Sequence, residues 1–340
     1  MFSERVYIIA EAGVNHNGDI SLAKKLIDAG KEAGVDCVKF QTWITEELIT
    51  KDAQKAEYQR KNDGEGSQYD MLKKLELSFS DFRELKRYSE DQGIDFLSTP
   101  DEKKSLDFLV DELQIKLIKV GSGEIRNLLY LKQIGQKKLP VILSTGMSNI
   151  ADVEIAYYTL IENGAPNVGL LHCTSEYPAP FETVNLKAMN TLKEVFKTKV
   201  GYSDHTVGIE ISIAAVAMGA QIIEKHFTLD KTMEGPDHKA SLDPLELSTL
   251  VKSIRNVSNA LGDGIKRIQP IEKATLKVVG KGIYANQDLP SGTILTEEML
   301  VGKRPSNGLG MENYHTIIGK KIKQSISKGN AIQLNLIDFE

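Results

Sequence analysis

Cysteine is scarce in this 340-residue chain: only 2 occur, Cys37 and Cys173, each inside an apolar segment. Two thiols so placed exclude a disulfide framework and make a reducing cytoplasm the expected location. Nothing near either one is arranged to stabilise a thiolate. No apolar run is long enough to span a bilayer. The opening MFSERVYIIAEAG lacks a signal-peptide pattern, because Glu11 and Gly13 follow the short apolar run too soon. Nor does one sign of charge dominate. Lys+Arg number 42 against 47 Asp+Glu, a net of -5. That balance gives no bulk attraction for nucleic acid or an anionic membrane, and leaves open a local basic pocket for a small anion. Low-complexity tracts and solenoid repeats are absent. Hydrophobic residues at 41% and charged residues at 26% match ordinary globular usage. The length suits one large domain, or a large one with a small appendage.

What is present is alternation. Short apolar runs (VYIIAEAG, VDCVKFQT, IDFLSTP, KLIKVGSGE, PVILSTG, VGLLHCTSEYP, VGYSDHT and QIIEKHFT) are separated by amphipathic helical stretches such as SLAKKLIDAGKEAG, several ending in glycine. Near-continuous apolar runs are expected of parallel strands covered on both faces. Eight such units in roughly 260 residues predict a closed (β/α)8, or TIM, barrel. The competing architecture is an open doubly wound sheet, weakened by the lack of GxGxxG after the first run. The run ends favour the barrel, because nearly all finish in polar or ionisable residues that would converge on one mouth. The barrel is expected over residues 1–262. Residues 263–278 are charged, lack a strong helical face and read as a linker. Residues 279–340 alternate short segments with turn signals, a compact β-rich module that would be marginal alone.

The ionisable run ends carry the candidate chemistry. His205 and His226 end the seventh and eighth runs, where two neutral imidazoles can bind a divalent transition metal. Each alone would equally read as a hydrogen-bonded core histidine. With no clear third protein ligand, the pair favours an exchangeable Mn2+- or Co2+-like ion over a structural zinc. His172 reads equally as core, and His16 and His238 fall in loops. Lys39 and Lys119, with Thr99, Ser122 and Ser144 at comparable positions, suit a phosphate or carboxylate, since a buried ammonium needs an anionic partner. The bland reading is a salt bridge to Glu11 or Glu124, and the sharper rival is a Schiff-base lysine. Glu11, Glu124 and Asp237 could act as acid or base, hold substrate hydroxyls, or balance the lysines. Arg304, in KRPSNGLG, is by itself an ordinary surface arginine.

Taken together, AEAGVNHNG, VKFQT, KAEYQ, SQYDMLKKLELS, FLSTP, KVGSGE, ILSTGM, LLHCTSEYPAPF, GYSDHT, EKHFTLDK and GPDHKAS resemble the N-acetylneuraminate (sialic acid) synthase family in nearly unbroken order. The tail resembles that family's antifreeze-like (SAF) domain. This resemblance implies a domain-swapped homodimer in which each barrel condenses phosphoenolpyruvate with an open-chain N-acetylated amino sugar. Carried over by motif, His205 and His226 would hold the metal, usually Mn2+, with Co2+ or Mg2+ as alternatives. Lys39, Thr99, Lys119, Ser122 and Ser144 would hold phosphoenolpyruvate. Glu11, Gln41, Glu124, Tyr177 and Asp237 would face the sugar or a metal-bound water, and Arg304 would reach the sugar from the partner subunit. The metal would polarise the sugar aldehyde and the lysines would neutralise phosphate. Two departures stand out: Asp101 follows STP where the family often has Phe, and Ser306 stands where the arginine loop often has Gly. N-acetylmannosamine is the first expected sugar, giving N-acetylneuraminate. A 2,4-diacetamido-2,4,6-trideoxymannose, giving N,N'-diacetyllegionaminate, is the alternative, and a pseudaminate route is more remote. A carbohydrate- or ice-binding protein built on the tail would leave the convergent mouth unexplained.

Overall fold

The computed structural model describes residues 5–57, 59–60 and 64–339; Tyr58, within the KAEYQ motif, lies outside them. The chain divides into two compact units, Met1–Gly262 and Asp263–Glu340.

Each of the eight expected runs forms a strand: β1 (Tyr7–Gly13), β2 (Cys37–Thr42), β3 (Asp95–Pro100), β4 (Ile118–Val120), β5 (Val141–Ser144), β6 (Val168–Cys173), β7 (Val200–Asp204) and β8 (Ile222–His226). All ladders among them are parallel. β1 pairs with β2 on one side and with β8 on the other, in the order β3-β2-β1-β8-β7-β6-β5-β4. β3 and β4 lie side by side at the remaining seam. Pairing of the first strand with the last is what an open doubly wound sheet lacks, so the competing architecture is set aside.

The physical cause is the two-sided burial of these strands. Ile8, Ala10, Val38 and Phe40 point outward into the main core beneath the surrounding helices. Ile9, Cys37, Leu97, Ile142, Leu171 and Ile222 point inward and fill the barrel floor. Each fully buried aliphatic side chain stabilises the fold by roughly 1.5–3 kcal/mol. Helix starts are marked by side-chain caps: Ser78 with Asp81, Asn149 with Asp152, and Asp243 with Glu246 before the helix Pro244–Leu261. That last helix packs against the helices Ile20–Ala33 and Glu210–Ala217. Arg255 donates to Asp36 Oδ2 at 2.6 Å, and the same oxygen accepts the Ile8 amide at 2.8 Å. One glycine is dictated by close approach: a Cβ on Gly201 would sit 2.2 Å from the Ile222 carbonyl oxygen, so β7 and β8 can meet only there without a side chain.

The second unit has a core of its own, made of Ile283, Ala285, Leu289, Leu295, Ile317, Ile322, Ile326, Ile332 and Ile337. Its strands are short antiparallel pairs, β9 (Gly282–Ala285) with β10 (Leu300–Lys303) and β11 (Lys321–Ile322) with β12 (Ile337–Asp338). The stretch 263–278, read from sequence as lacking a helical face, contains most of a two-turn helix, Glu272–Val279, none of whose residues is buried.

Candidate active site

The strands position the site by their period of two. Two residues beyond each floor residue, on the same inward face, the chemistry changes. Ile9 is followed by Glu11, Cys37 by Lys39, Leu97 by Thr99 and Leu117 by Lys119. Ile142 is followed by Ser144, Leu171 by Cys173, Gly201 by Ser203 and Ile222 by Glu224. The result is a buried polar layer directly above an apolar floor.

Side chains in this layer reach across the barrel. Lys39 Nζ lies 2.6 Å from Glu11 Oε2 and donates to Thr99 Oγ1 at 3.0 Å. Lys119 Nζ donates to Ser144 Oγ at 2.8 Å. Glu224 stands between the two ammonium groups, 3.7 Å from Lys39 and 3.4 Å from Lys119, and accepts the Ser203 hydroxyl at 2.7 Å. β4 and β8 are far apart in strand order, so the Lys119–Glu224 contact can form only through the barrel interior. Gln41 donates to Glu11 at 3.1 Å and closes this side.

Sequence reasoning paired the lysines with Glu11 or Glu124. Glu11 does pair with Lys39, but the second carboxylate is Glu224. Glu124 sits half-buried at the rim, accepting the Asn127 amide at 2.7 Å. Sequence reasoning missed Glu224 and Ser203, which lie inside their strands and not at the ionisable run ends. Counting back two from His226 and His205 would have found both. Burial works against ionising Glu224, yet Lys119 and Lys39 outweigh it and hold the carboxyl below its ordinary range. Glu11 shifts the other way: burial raises it, Glu224 adds to the rise, and Lys39 only partly opposes. Lys39 is pushed down by burial but more strongly up by Glu11 and Glu224, so it stays charged. Lys119 is lowered by burial, with Glu224 opposing.

The histidines form the other half of the mouth. The His205 and His226 rings lie 5.5 Å apart, and the Tyr177 ring stands 4.1 Å from the first and 5.4 Å from the second. Burial drives His205 down to about 4 and His226 well below its usual value, so both are neutral imidazoles. His205 Nδ1 donates to the Thr174 carbonyl at 2.6 Å, leaving the Nε2 lone pair available. His226 Nδ1 is buried, makes no hydrogen bond among the described residues and lies 3.8 Å from Asp237 Oδ2. Burial raises Asp237 to about 6. Two neutral rings with unused lone pairs suit a divalent cation. Among the described residues no group of three or more His, Cys, Asp or Glu side chains is arranged to hold a metal, so an ion on this pair would need water or substrate oxygens to complete its ligands.

Ser122 joins the layer from the turn after β4. Its hydroxyl accepts the Gly146 amide at 3.0 Å and lies 3.1 Å from Cys173 Sγ. Asp101, inward like Thr99, is raised to about 7 by burial, against the pull of Lys39. His172, by contrast, is fixed to the Val184 carbonyl at 2.7 Å and belongs to the scaffold. His16 and His238, expected in loops, are wholly buried. Arg304 is exposed on the loop after β10, in the second unit.

This geometry sits on a chain whose relatives are informative. The N,N'-diacetyllegionaminic acid synthase of Campylobacter jejuni is 51% identical over 93% of this chain and 96% of its own length. The protein of the same name from Legionella pneumophila is 46% identical over 96% of this chain and 93% of its own. The crystal structure of N-acetylneuraminic acid (sialic acid) synthetase from Leptospira borgpetersenii, solved with citrate, superposes with a TM-score of 0.72 at 35% identity, covering 80% of this chain and 90% of that one. Residues 280–338 match the SAF domain. Residues 26–266 match the NeuB family, and the chain belongs to it.

Proposed function

We propose that the protein condenses phosphoenolpyruvate with an open-chain 2,4-diacetamido-2,4,6-trideoxymannose and water, giving N,N'-diacetyllegionaminate and phosphate. N-acetylmannosamine, giving N-acetylneuraminate, is the second reading. Support for this order comes from the relatives: the two named for the legionaminate product are 51% and 46% identical, the sialic acid synthetase 35%. The observation that carries the reaction class is the pair of buried lysines spanning the mouth beside the two neutral histidines.

In this reading Lys39 and Lys119 meet the phosphate and carboxylate of phosphoenolpyruvate, with Thr99, Ser122 and Ser144 donating to their oxygens. Fixed positive charge in a dry site stabilises the phosphate without reorganising when it leaves. His205 and His226 would hold a divalent cation, Mn2+ foremost, which supplies Lewis acidity at the sugar aldehyde. The enol carbon bonds to the aldehyde carbon, whose oxygen takes up a proton. Water adds to the phosphate-bearing carbon and gives up a proton. The hydroxyl so formed then becomes the product's carbonyl as the carbon–oxygen bond to phosphate breaks, and its proton goes to the phosphate, which departs with its bridging oxygen. Glu11, buried against Lys39 and Gln41, is placed to move the proton of that water, and Glu124 at the rim is the second candidate. Gln41, Tyr177 and Asp237 line the sugar side.

The reading includes a domain-swapped homodimer in which Arg304 of one copy meets the sugar held by the other. Support comes from apolar side chains left in water on the loops and helix starts that follow β4 to β7: Leu128, Leu129, Met147, Ile150, Phe181 and Val207. Ile265, Ile268, Ile271 and Val278, in the segment between the units' cores, are exposed too. A cytoplasmic location fits the two free, buried cysteines. No helix among the described residues is long and apolar enough to cross a membrane.

The test is phosphate release from phosphoenolpyruvate with both sugars side by side, with Mn2+ and after exhaustive chelation. The diacetamido sugar should give the higher kcat/KM, and chelation should abolish turnover until Mn2+ is returned. A preference for N-acetylmannosamine would reverse the order of substrates. Turnover undiminished without metal would remove the cation.

A further inference from the structure

Two motifs, VNHNG after β1 and GPDHKAS after β8, contain more buried polar side chains than the reaction uses. Asn15, Thr228, His238 and Ser241 are each at most 1% exposed. Buried polar groups persist where they are hydrogen-bonded, and these are bonded to one another across more than 200 residues of sequence. Asn15 Nδ2 donates to the Phe227 carbonyl at 2.8 Å and to Ser241 Oγ at 2.9 Å. Ser241 Oγ in turn donates to the carbonyl of Asp237 at 2.8 Å. Asn17 Nδ2 donates to the Glu234 carbonyl at 3.0 Å, which turns its Oδ1 toward His238 Nε2, 3.1 Å away. An amide oxygen only accepts, so Nε2 of His238 carries the proton and Nδ1 accepts from Thr228 Oγ1 at 2.7 Å. Gly235 leaves room for this ring: a Cβ there would lie 2.7 Å from His238 Cδ2.

Every one of these bonds grips the segment 227–241, and Asp237 is its one carboxylate beside the histidine pair, 3.8 Å from His226. We propose that Asn15, Asn17 and His238 are positioning residues. They form a knot that fixes the β8 loop to the β1 turn and so aims Asp237 at the sugar. The proposal rests on the reading that Asp237 meets the sugar. None of the three touches the lysine side of the mouth, so the knot should govern the sugar and leave phosphoenolpyruvate alone.

The test is steady-state kinetics with each substrate varied in turn, using whichever sugar supports turnover. Asn17→Gly is the cleanest variant, because Asn17 has φ 52° and glycine keeps that backbone while deleting only the amide. It and His238→Ala should raise the sugar KM about tenfold, as small misplacements of a positioning group do, with the phosphoenolpyruvate KM held within about twofold. His238→Gln, whose amide N–H can replace Nε2–H toward Asn17, should recover most of the loss. An unchanged sugar KM in Asn17→Gly, or an equal rise in both KM values, overturns the knot. Asp237→Asn is measured alongside. If it leaves the sugar KM unmoved, the role of Asp237 falls and the knot's purpose with it. If it raises the sugar KM while Asn17→Gly does not, only the knot falls.

Discussion

The barrel interior holds two layers, separated by two residues on every strand. The lower, with Ile9, Leu97, Ile142 and Ile222, is at most 2% exposed; the upper, with Glu11, Lys39, Thr99, Lys119, Ser144 and Glu224, is at most 4% exposed. Burial is therefore nearly equal and chemistry opposite. The floor gains from leaving water. The upper layer loses hydration that its ion pairs only partly return, and a well-packed apolar replacement of such a network is often no less stable. A buried layer of two lysines, two carboxylates and the hydroxyls of Thr99, Ser144 and Ser203 is thus poorly explained as scaffold. The contrast separates the part of the barrel that makes it fold from the part that makes it react.

The strongest way to break that division is to change members of the two layers and read stability and rate together. Glu224→Gln should have the largest effect. It leaves Lys119 without a carboxylate, and removing one partner of a buried pair costs about 3–5 kcal/mol. Melting temperature and kcat/KM should fall together. Lys119→Met should come next and act chiefly on the rate. Glu224 and Glu11 are left to share Lys39, so stability falls by no more than the about 3–5 kcal/mol of a broken buried pair, while lost phosphate stabilisation lowers kcat/KM of the folded enzyme by about a thousandfold. A Lys119→Met enzyme with near-normal kcat/KM would remove the lysine from the reaction. Ile222→Ala, one step down the same face as Glu224, should do the converse. Deleting that fully buried side chain should cost about 2–5 kcal/mol in denaturant unfolding, with kcat/KM of the folded enzyme changed by less than about threefold. A rate loss matching that of Lys119→Met would mean that the layers are not separable.

This division was partly legible in the sequence. Near-continuous apolar runs identified all eight strands, and their polar ends identified the mouth, because side-chain period and strand direction are local properties. Lys39, Thr99, Lys119, Ser144, His205 and His226 were found for that reason. Glu224 was not, since its role depends on two lysines from strands on other sides of the barrel, a relation created only by closure. His238 read as a loop residue because its partners, Asn17 and Thr228, come from opposite ends of the barrel sequence. The helix Glu272–Val279 read as linker although Thr275, Leu276 and Val279 share one helical side; none of its residues is buried, so no core contact accompanies that pattern. The choice of sugar turns on a few substituent contacts that no periodicity reports.

A buried ionisable group outside the layer gives the smallest effect and sharpens the same contrast. His16 is wholly buried in the turn after β1, its Nδ1 accepting the Gly18 amide at 3.0 Å while Nε2 has no hydrogen-bond partner among the described residues. Burial lowers it from 6.5 to about 4, with Asp19 and Asp81 opposing too weakly to restore it. The unfolded chain therefore binds the proton first. The stability that neutral His16 allows is complete above about 6.5 and is lost as pH falls toward about 4. By the size of that shift the loss reaches at most about 3 kcal/mol. His16→Asn keeps an acceptor for the Gly18 amide and cannot take up the proton. Its deficit against the parent in urea unfolding should be largest at neutral pH and shrink steadily between pH 6.5 and 4. A deficit that stays constant across that window would show that protonation of His16 is not what acid works on. It would place the acid-sensitive groups among the carboxylates, where the ion pairs of the upper layer hold them.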